Sequence, residues 1–263
     1  MKAPRVLIPV ALGTNRDHDL AEAFTLAGAE PMSVPLTVLR SGEVSMDDFQ
    51  VLALPGGFSY GDALGAGRLL GLDLANWFGD QLRQAIAADK PVIGICNGFQ
   101  ALVSAGILPG GDAAAVLSTN TPPPGLHEPR FECRWVTIGA DRANPSPWLS
   151  TLTEPIRCPV AHGEGQFVSA DLASLEARGG IALRYLDGAV SAAGAVSAAG
   201  AYPANPNGSV GDVAGITDQT GLVLGLMPHP ENHIRDHQDP LRGRSAASGN
   251  CLPLFEAGVA AAI

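Results

Sequence analysis

Aromatic residues are scarce, with 3 Trp, 3 Tyr and 8 Phe in 263 residues. A core for a chain of this length must therefore be built from Ala, Val, Leu and Ile. Basic residues are few as well, 16 Lys plus Arg against 26 Asp plus Glu, for a net charge of −10. That balance excludes a protein that works by neutralising nucleic-acid phosphates. No apolar run approaches the roughly 18 residues of a membrane span. There are four cysteines, Cys96, Cys133, Cys158 and Cys251, with no CxxC pair and no zinc spacing among them. The start, Met1 to Arg5, leads into a short apolar run, Val6 to Gly13, with one Pro inside. This reads as a first β-strand more readily than as a secretory signal. The expectation is a cytoplasmic, acidic, soluble protein with reduced thiols and no nucleic-acid or membrane partner.

What is plentiful is small and apolar. Hydrophobic residues make up 46% of the chain and Gly numbers 32, so tight turns separate Ala-, Val- and Leu-rich elements. Val6–Val10, Met32–Val38, Val51–Leu54 and Val92–Ile95 read as strands. Asp17–Gly28, Leu72–Ala88 and Gly98–Gly106 read as helices with Gly or Asp-Lys-Pro stops. This alternation predicts an α/β fold, a mostly parallel sheet between helices, with ligands bound beyond the carboxyl ends of the strands. In the second half, Phe131–Ile138 and Ile181–Leu186 read as strands, and Val210–Thr217 with Leu222–Met227 as a hairpin. These are additions to the same sheet or a small antiparallel layer beside it. Asn120–His127 is Pro-rich and reads as a surface loop. Gly188–Ala193 is repeated at Gly194–Ala199, which reads as a low-complexity hairpin tip. With no long linker, residues 1–263 are expected to form one domain.

Two segments carry the Gly-x-nucleophile-x-Gly pattern of a sharp strand-to-helix turn: Gly57-Phe58-Ser59-Tyr60-Gly61 and Gly94-Ile95-Cys96-Asn97-Gly98. Cys96 follows an apolar strand and precedes a helix, which is the context such an elbow needs. A thiol there sits at a helix N-terminus, where the macrodipole favours the thiolate. The competing reading of Cys96 is an inert buried thiol. Ser59 is followed by Gly-rich irregular sequence and reads as a loop offering backbone N–H groups for binding.

A thiolate nucleophile needs a base, and the base needs an orienter. In Met227-Pro228-His229-Pro230-Glu231 the i, i+2 spacing puts His229 and Glu231 on one side of an extended segment. Glu231 can then hold one ring nitrogen while the other faces Cys96. His229, His233 and His237 also recur at i+4 spacing, a metal-like pattern, but Pro230 separates His229 from any helix. His233 and His237 are read as solvated, and no metal site is expected.

These residues resemble the class I, triad-type glutamine amidotransferases, and within them a group that serves purine biosynthesis. The matching stretches run in family order through most of the chain. They are Gly13-Thr14-Asn15, Leu54 to Asp62, Gly94 to Gln100, Ala161 to Phe167, Tyr202 to Ser209, and Gly225 to Glu231. The resemblance implies a flavodoxin-like three-layer sandwich. It implies that Cys96 attacks the side-chain amide of L-glutamine, with His229 and Glu231 as its partners. Ammonia and then glutamate leave by way of a glutamyl thioester. Backbone N–H groups of Gly57 and Asn97, beside Gly56, would hold the oxyanion, while Gln100 and Gly163 help hold glutamine. His162 and Glu164 would be structural or interface residues.

The same resemblance implies that ammonia passes to a large synthetase subunit, with a third small subunit left open. That partner would convert formylglycinamide ribonucleotide to the amidine with ATP and Mg²⁺. This chain has no P-loop pattern and is expected to carry no cofactor of its own. Three departures stand out: Arg16 where the family often has Cys, the Gly188–Ala199 repeat, and a long tail, Arg235–Ile263, read as extra partner interface. Two other readings compete. One is a different Cys-elbow hydrolase or peptidase-like protein. The other is a non-catalytic binding subunit of the same fold.

Overall fold

The computed structural model describes residues 2–111, 113–190, 196–198, 200–242 and 249–263. Its first half alternates strand and helix. The strands are β1 (Arg5–Val10), β2 (Glu30–Pro35), β3 (Val51–Leu54) and β4 (Val92–Ile95). Between and after them come α1 (Asp17–Leu26), α2 (Leu36–Ser41), α3 (Arg68–Asn76), α4 (Gly79–Ala87) and α5 (Asn97–Ser104). β3 and β4 are buried along their whole length, as apolar four-residue runs covered on both faces must be. The second half supplies β5 (Ala115–Ser118), β6 (Glu132–Ala140), β7 (Ile156–His162), β8 (Gln166–Ser169), α6 (Leu172–Ala177) and β9 (Ile181–Val190). It continues with β10 (Val196–Ala198), β11 (Val213–Thr217), β12 (Val223–Leu226) and α7 (Leu252–Ala260).

One mixed sheet takes ten of these strands in the order β2-β1-β3-β4-β12-β11-β9-β6-β7, with β10 added on β9. The pairings from β2 to β12 are parallel, and from β12 onward they are antiparallel. β5 and β8 form a separate two-stranded antiparallel sheet. Both readings of the second half therefore occur together. The decisive junction is β12 beside β4, with Leu226 in register with Ile95. This pairing brings the chain after residue 226 next to the chain after residue 95, at the carboxyl ends of both strands.

The elements differ from their sequence reading in four places. The expected strand Met32–Val38 stops at Pro35, which pairs with Val10, the last residue of β1. Without a neighbour the chain turns into α2 and buries Leu36 and Leu39 instead. The expected helix Leu72–Ala88 is two helices broken at Trp77 and Phe78. The break buries Phe78 and lets Trp77 lie under the Arg40 guanidinium, 3.4 Å from its ring centroid. Strand β7 is absent from the sequence reading, because Arg157 and Pro159 obscure its alternation of buried residues. The tail is not an appended interface. α7 buries Leu254 and Phe255, with Phe255 edge-on to Phe24 at 5.3 Å, and Gly258 lies flat against Trp148.

In the Gly188–Ala199 repeat, residues 191–195 and 199 lie outside the described residues, as do 243–248 of the tail. Among the described residues, no helix is long and apolar enough to cross a membrane.

Candidate active site

Cys96 stands between β4 and α5 with φ 48° and ψ −104°, a backbone conformation that is costly for a residue with a side chain. Its amide is held by Leu226 O at 2.8 Å, across the β4–β12 junction, and its carbonyl accepts Gln100 N at 2.9 Å to start the helix. The turn is therefore fixed from both sides. The thiol is buried and donates to the Ala161 carbonyl at 3.7 Å.

His229 and Glu231 follow β12 directly. The His229 amide donates to Pro159 O at 2.8 Å, which fastens this segment to β7. His229 Nδ1 and Glu231 Oε1 lie 2.6 Å apart, and both side chains are almost fully buried. A pair this short and dry is a charge-assisted hydrogen bond. It leaves His229 Nε2 and Glu231 Oε2 buried with no hydrogen-bond partner. Gly56 measures how close the ring is to the nucleophile. A Cβ built there would come within 2.7 Å of His229 Cε1 and 3.5 Å of Cys96 Cβ. Only a glycine fits between the two side chains.

Electrostatics separate the two histidines of this region. Burial disfavours the charged form of His229, but the Glu231 carboxylate and the Cys96 sulfur outweigh it and hold its pKa well above 6.5. His162, at the end of β7, has no carboxylate partner. Burial, assisted by the nearby His229, lowers its pKa to about 3 and keeps it neutral.

A cavity of about 120 Å³ opens on Cys96 and is walled by Gly57, Gln100, His162, Gly163, Phe58 and Phe131 among others. Phe58 and Phe131 stack at 6.3 Å between ring centroids at its edge. Gly57 has a φ of 131°, and a Cβ there would meet Asn15 N at 2.8 Å. Its amide, facing the cavity, donates to no backbone carbonyl, nor does that of Asn97 at the first position of α5. The Asn97 side chain is engaged elsewhere. Its Oδ1 accepts Ser59 N at 3.2 Å, and its Nδ2 donates to Asp62 Oδ1 at 3.1 Å and Gln100 Oε1 at 3.2 Å. Gln100 Nε2 donates to Glu164 O at 2.7 Å, tying α5 to the loop after β7.

Several expectations are corrected by this geometry. The loop around Ser59 does not offer a row of free amides. Ser59 N bonds Asn97, Tyr60 N bonds Leu12 O, and Gly61 N bonds Phe58 O, while Ser59 Oγ is buried. His233 is not solvated: it is buried, with Nδ1 2.5 Å from Arg157 O. His237 is exposed, and the three histidines do not converge. Among the described residues no group of His, Cys, Asp or Glu is placed to hold a metal ion. Glu164 and His162 are cavity-wall residues rather than distant structural ones. Asn120, read as part of a surface loop, is buried and accepts Gly165 N while donating to His162 O. Asn207 holds the same loop from its other side through Gly165 O at 2.8 Å. Phe58 and Phe131 were not singled out, since a single aromatic in a loop carries no pattern.

A strand-to-helix cysteine, a histidine–carboxylate pair on the adjacent strand and a small cavity over both define a glutamine amidotransferase of the triad type. A family model described as a CobB/CobQ-like glutamine amidotransferase domain matches residues 3–260. The chain is 44% identical to phosphoribosylformylglycinamidine synthase subunit PurQ of Treponema denticola, over 97% of this chain and 98% of that protein. It is 36% identical to the PurQ subunit of Methanococcus maripaludis strain C5, over 90% of this chain and 86% of that one. A solved structure titled "Structure of PurLQS from Thermotoga maritima" contains a chain 30% identical to this one. It superimposes with a TM-score of 0.70 over 98% of both chains. The chain belongs to the glutamine amidotransferases and, within them, to the PurQ family.

Proposed function

We propose that this chain is the glutaminase subunit of a phosphoribosylformylglycinamidine synthase. It hydrolyses L-glutamine and passes the ammonia to a synthetase subunit. The observation that carries the reading is the junction of β4 and β12, which sets Cys96 against the buried His229–Glu231 pair.

The chemistry follows from that geometry. The Cys96 thiolate attacks the amide carbon of glutamine, and the backbone N–H groups of Gly57 and Asn97 receive the oxyanion. His229, held as imidazolium by Glu231, gives its Nε2 proton to the departing nitrogen. The C–N bond breaks, ammonia leaves and a glutamyl thioester remains. His229 then takes a proton from water, which attacks the thioester and releases glutamate and the thiolate. Glu231 orients the ring and balances its charge throughout. Gln100 and Gly163 form part of the glutamine-binding wall.

ATP and Mg²⁺ belong to the synthetase partner, where ammonia converts formylglycinamide ribonucleotide to its amidine. The assembly includes a third small subunit, a reading supported by the three-letter title of the Thermotoga maritima structure. Residues 1–263 act as one domain, supported by the packing of α7 on α1. The protein works in the cytoplasm, supported by its four free cysteines.

The test is labelling with a diazo-ketone analogue of glutamine, read by peptide mass. Cys96 should be modified and glutamine should protect it. A rate of modification indifferent to glutamine would overturn the reading in favour of a different Cys-elbow hydrolase. Recovery of the chain from cell extract together with partners identified by mass checks the assembly.

A further inference from the structure

The two carboxylates of the cavity wall have no part in the triad. Asp62 and Glu164 both face the space over Cys96, and the lining contains no Lys or Arg to neutralise them. The one other titratable nitrogen on the wall, His162, is held neutral. Burial, together with the Glu164 charge, raises the Asp62 pKa despite its hydrogen bond from Asn97. Two like charges near a small, half-dry space are unfavourable unless a cation comes between them.

Both carboxylates are tied to the helix that carries the nucleophile. Asn97, the residue after Cys96, donates to Asp62 Oδ1, and its Nδ2 also reaches Gln100 Oε1. Gln100 in turn donates to the Glu164 backbone carbonyl. Glu164 binds the Ala66 amide at 3.3 Å through Oε2 alone. One hydrogen-bonded chain, Asp62–Asn97–Gln100–Glu164, therefore holds both acids at a set distance from Cys96.

We propose that Asp62 and Glu164 form the seat for the α-ammonium group of glutamine, and so select a zwitterionic amide over one that lacks the amino group. This rests on the glutaminase reading. An α-ammonium offers three N–H donors to two carboxylates and relieves their repulsion. An amide bearing only a carboxylate brings a third negative charge into the same space and is rejected. The selectivity comes from groups left unpaired by the wrong substrate, the situation in which discrimination is strongest.

The test compares glutamine with glutaramate, the same molecule without its α-amino group. Ammonia release is measured in the complex with the synthetase partner, for the natural chain, Asp62→Asn, Glu164→Gln and the double variant. Asn is tolerated at the left-handed φ of 52° that Asp62 adopts, and Gln keeps the acceptor for Ala66 N. Each single variant should lose about tenfold or more in kcat/KM for glutamine, mainly through KM, as expected for a lost charged hydrogen bond. Glutaramate should be hydrolysed as well as before or better, so the preference for glutamine contracts about tenfold in each single variant and further in the double.

An equal loss on both substrates would mean that the acids only hold the loop, and would overturn the proposal. So would an unchanged preference. If the natural complex releases no ammonia from glutamine, the glutaminase reading itself fails. If it does and the preference survives both substitutions, only the ammonium seat fails. Should Asp62→Asn not assemble, Glu164→Gln alone decides.

Discussion

The two glycine-flanked turns, Gly57–Gly61 and Gly94–Gly98, share one five-residue pattern and do different work. Cys96 rises from a buried parallel strand into a helix, and its strained φ is held by hydrogen bonds on both sides. Ser59 enters a single irregular turn in which Tyr60 and Gly61 both have positive φ, and its hydroxyl is buried without a partner. The second loop still serves the first. Gly56 and Gly57 at its start make room for His229 and border the cavity, while Ser59 N docks on the side chain of Asn97. The flanking strand and helix, not the glycines, make a nucleophile site. Histidines repeat the lesson. His162 and His229 are both buried at strand ends, yet only the one with a carboxylate beside it is held in the charged form.

The largest effect should come from exchanging the roles of the two turns. Cys96→Ala should lower glutamine-dependent synthesis by the complex about 10⁴-fold or more while synthesis from added ammonia survives. Ser59→Ala should leave glutamine-dependent synthesis within about threefold, since no hydrogen bond is lost. Intact glutamine-dependent synthesis in Cys96→Ala would instead favour a non-catalytic binding subunit.

Next is the partner that distinguishes the histidines. Glu231→Gln should cost about a hundredfold to ten-thousandfold in kcat. Glu231 holds the His229 pKa up, so the neutral amide should let the imidazolium lose its proton at lower pH. The alkaline limb of the activity profile then moves toward acid. A profile that keeps its shape would contradict the assigned orienter.

Packing separates the turns more modestly. A Cβ on Gly98 would sit 2.3 Å from Leu54 O, a backbone atom of β3 that cannot move aside, whereas one on Gly61 meets nothing within 4 Å. In urea unfolding, Gly98→Ala should lose about 3 kcal/mol, the upper range of overpacking. Gly61→Ala should lose about 1 kcal/mol, from its left-handed backbone alone. Equal losses would show that the elbow's close packing has no special cost.

The smallest effect is a proton count. His162 has a folded pKa of about 3 against 6.5 in an unfolded chain. The stability it permits is therefore present above pH 6.5 and is lost as the pH falls toward 3. The slope of stability against pH in that window should decrease by about one proton in His162→Gln. An unchanged slope would mean that His162 is charged in the folded protein.

Much of the first half was legible before any coordinates. Val51–Leu54 and Val92–Ile95 are apolar runs closed by Pro-Gly-Gly and by the cysteine elbow, and their strand limits agree with the structure. The helix expected over Leu72–Ala88 failed because its apolar spacing continues through a break that tertiary contacts of Trp77 and Phe78 impose. In the antiparallel half the signal was weaker. β7 carries Arg157, whose charge pairs with Asp239 at 3.0 Å in the folded tail, so a polar residue in the pattern is not an exposed one. The same holds for His233, Asn120 and Asn207, whose partners lie far along the chain.

Local sequence alone determined the elbow at Cys96 and the side-by-side placing of His229 and Glu231. Each depends on sterics and hydrogen bonding among residues a few positions apart. Only the tertiary structure decided that these two pieces meet, because their distance is set by the register of β12 on β4. It also decided that Ser59 is idle, that His162 is neutral, and that Asp62 and Glu164 share one small cavity. Burial and the charge of a spatial neighbour govern those properties, and neither is a function of nearby sequence.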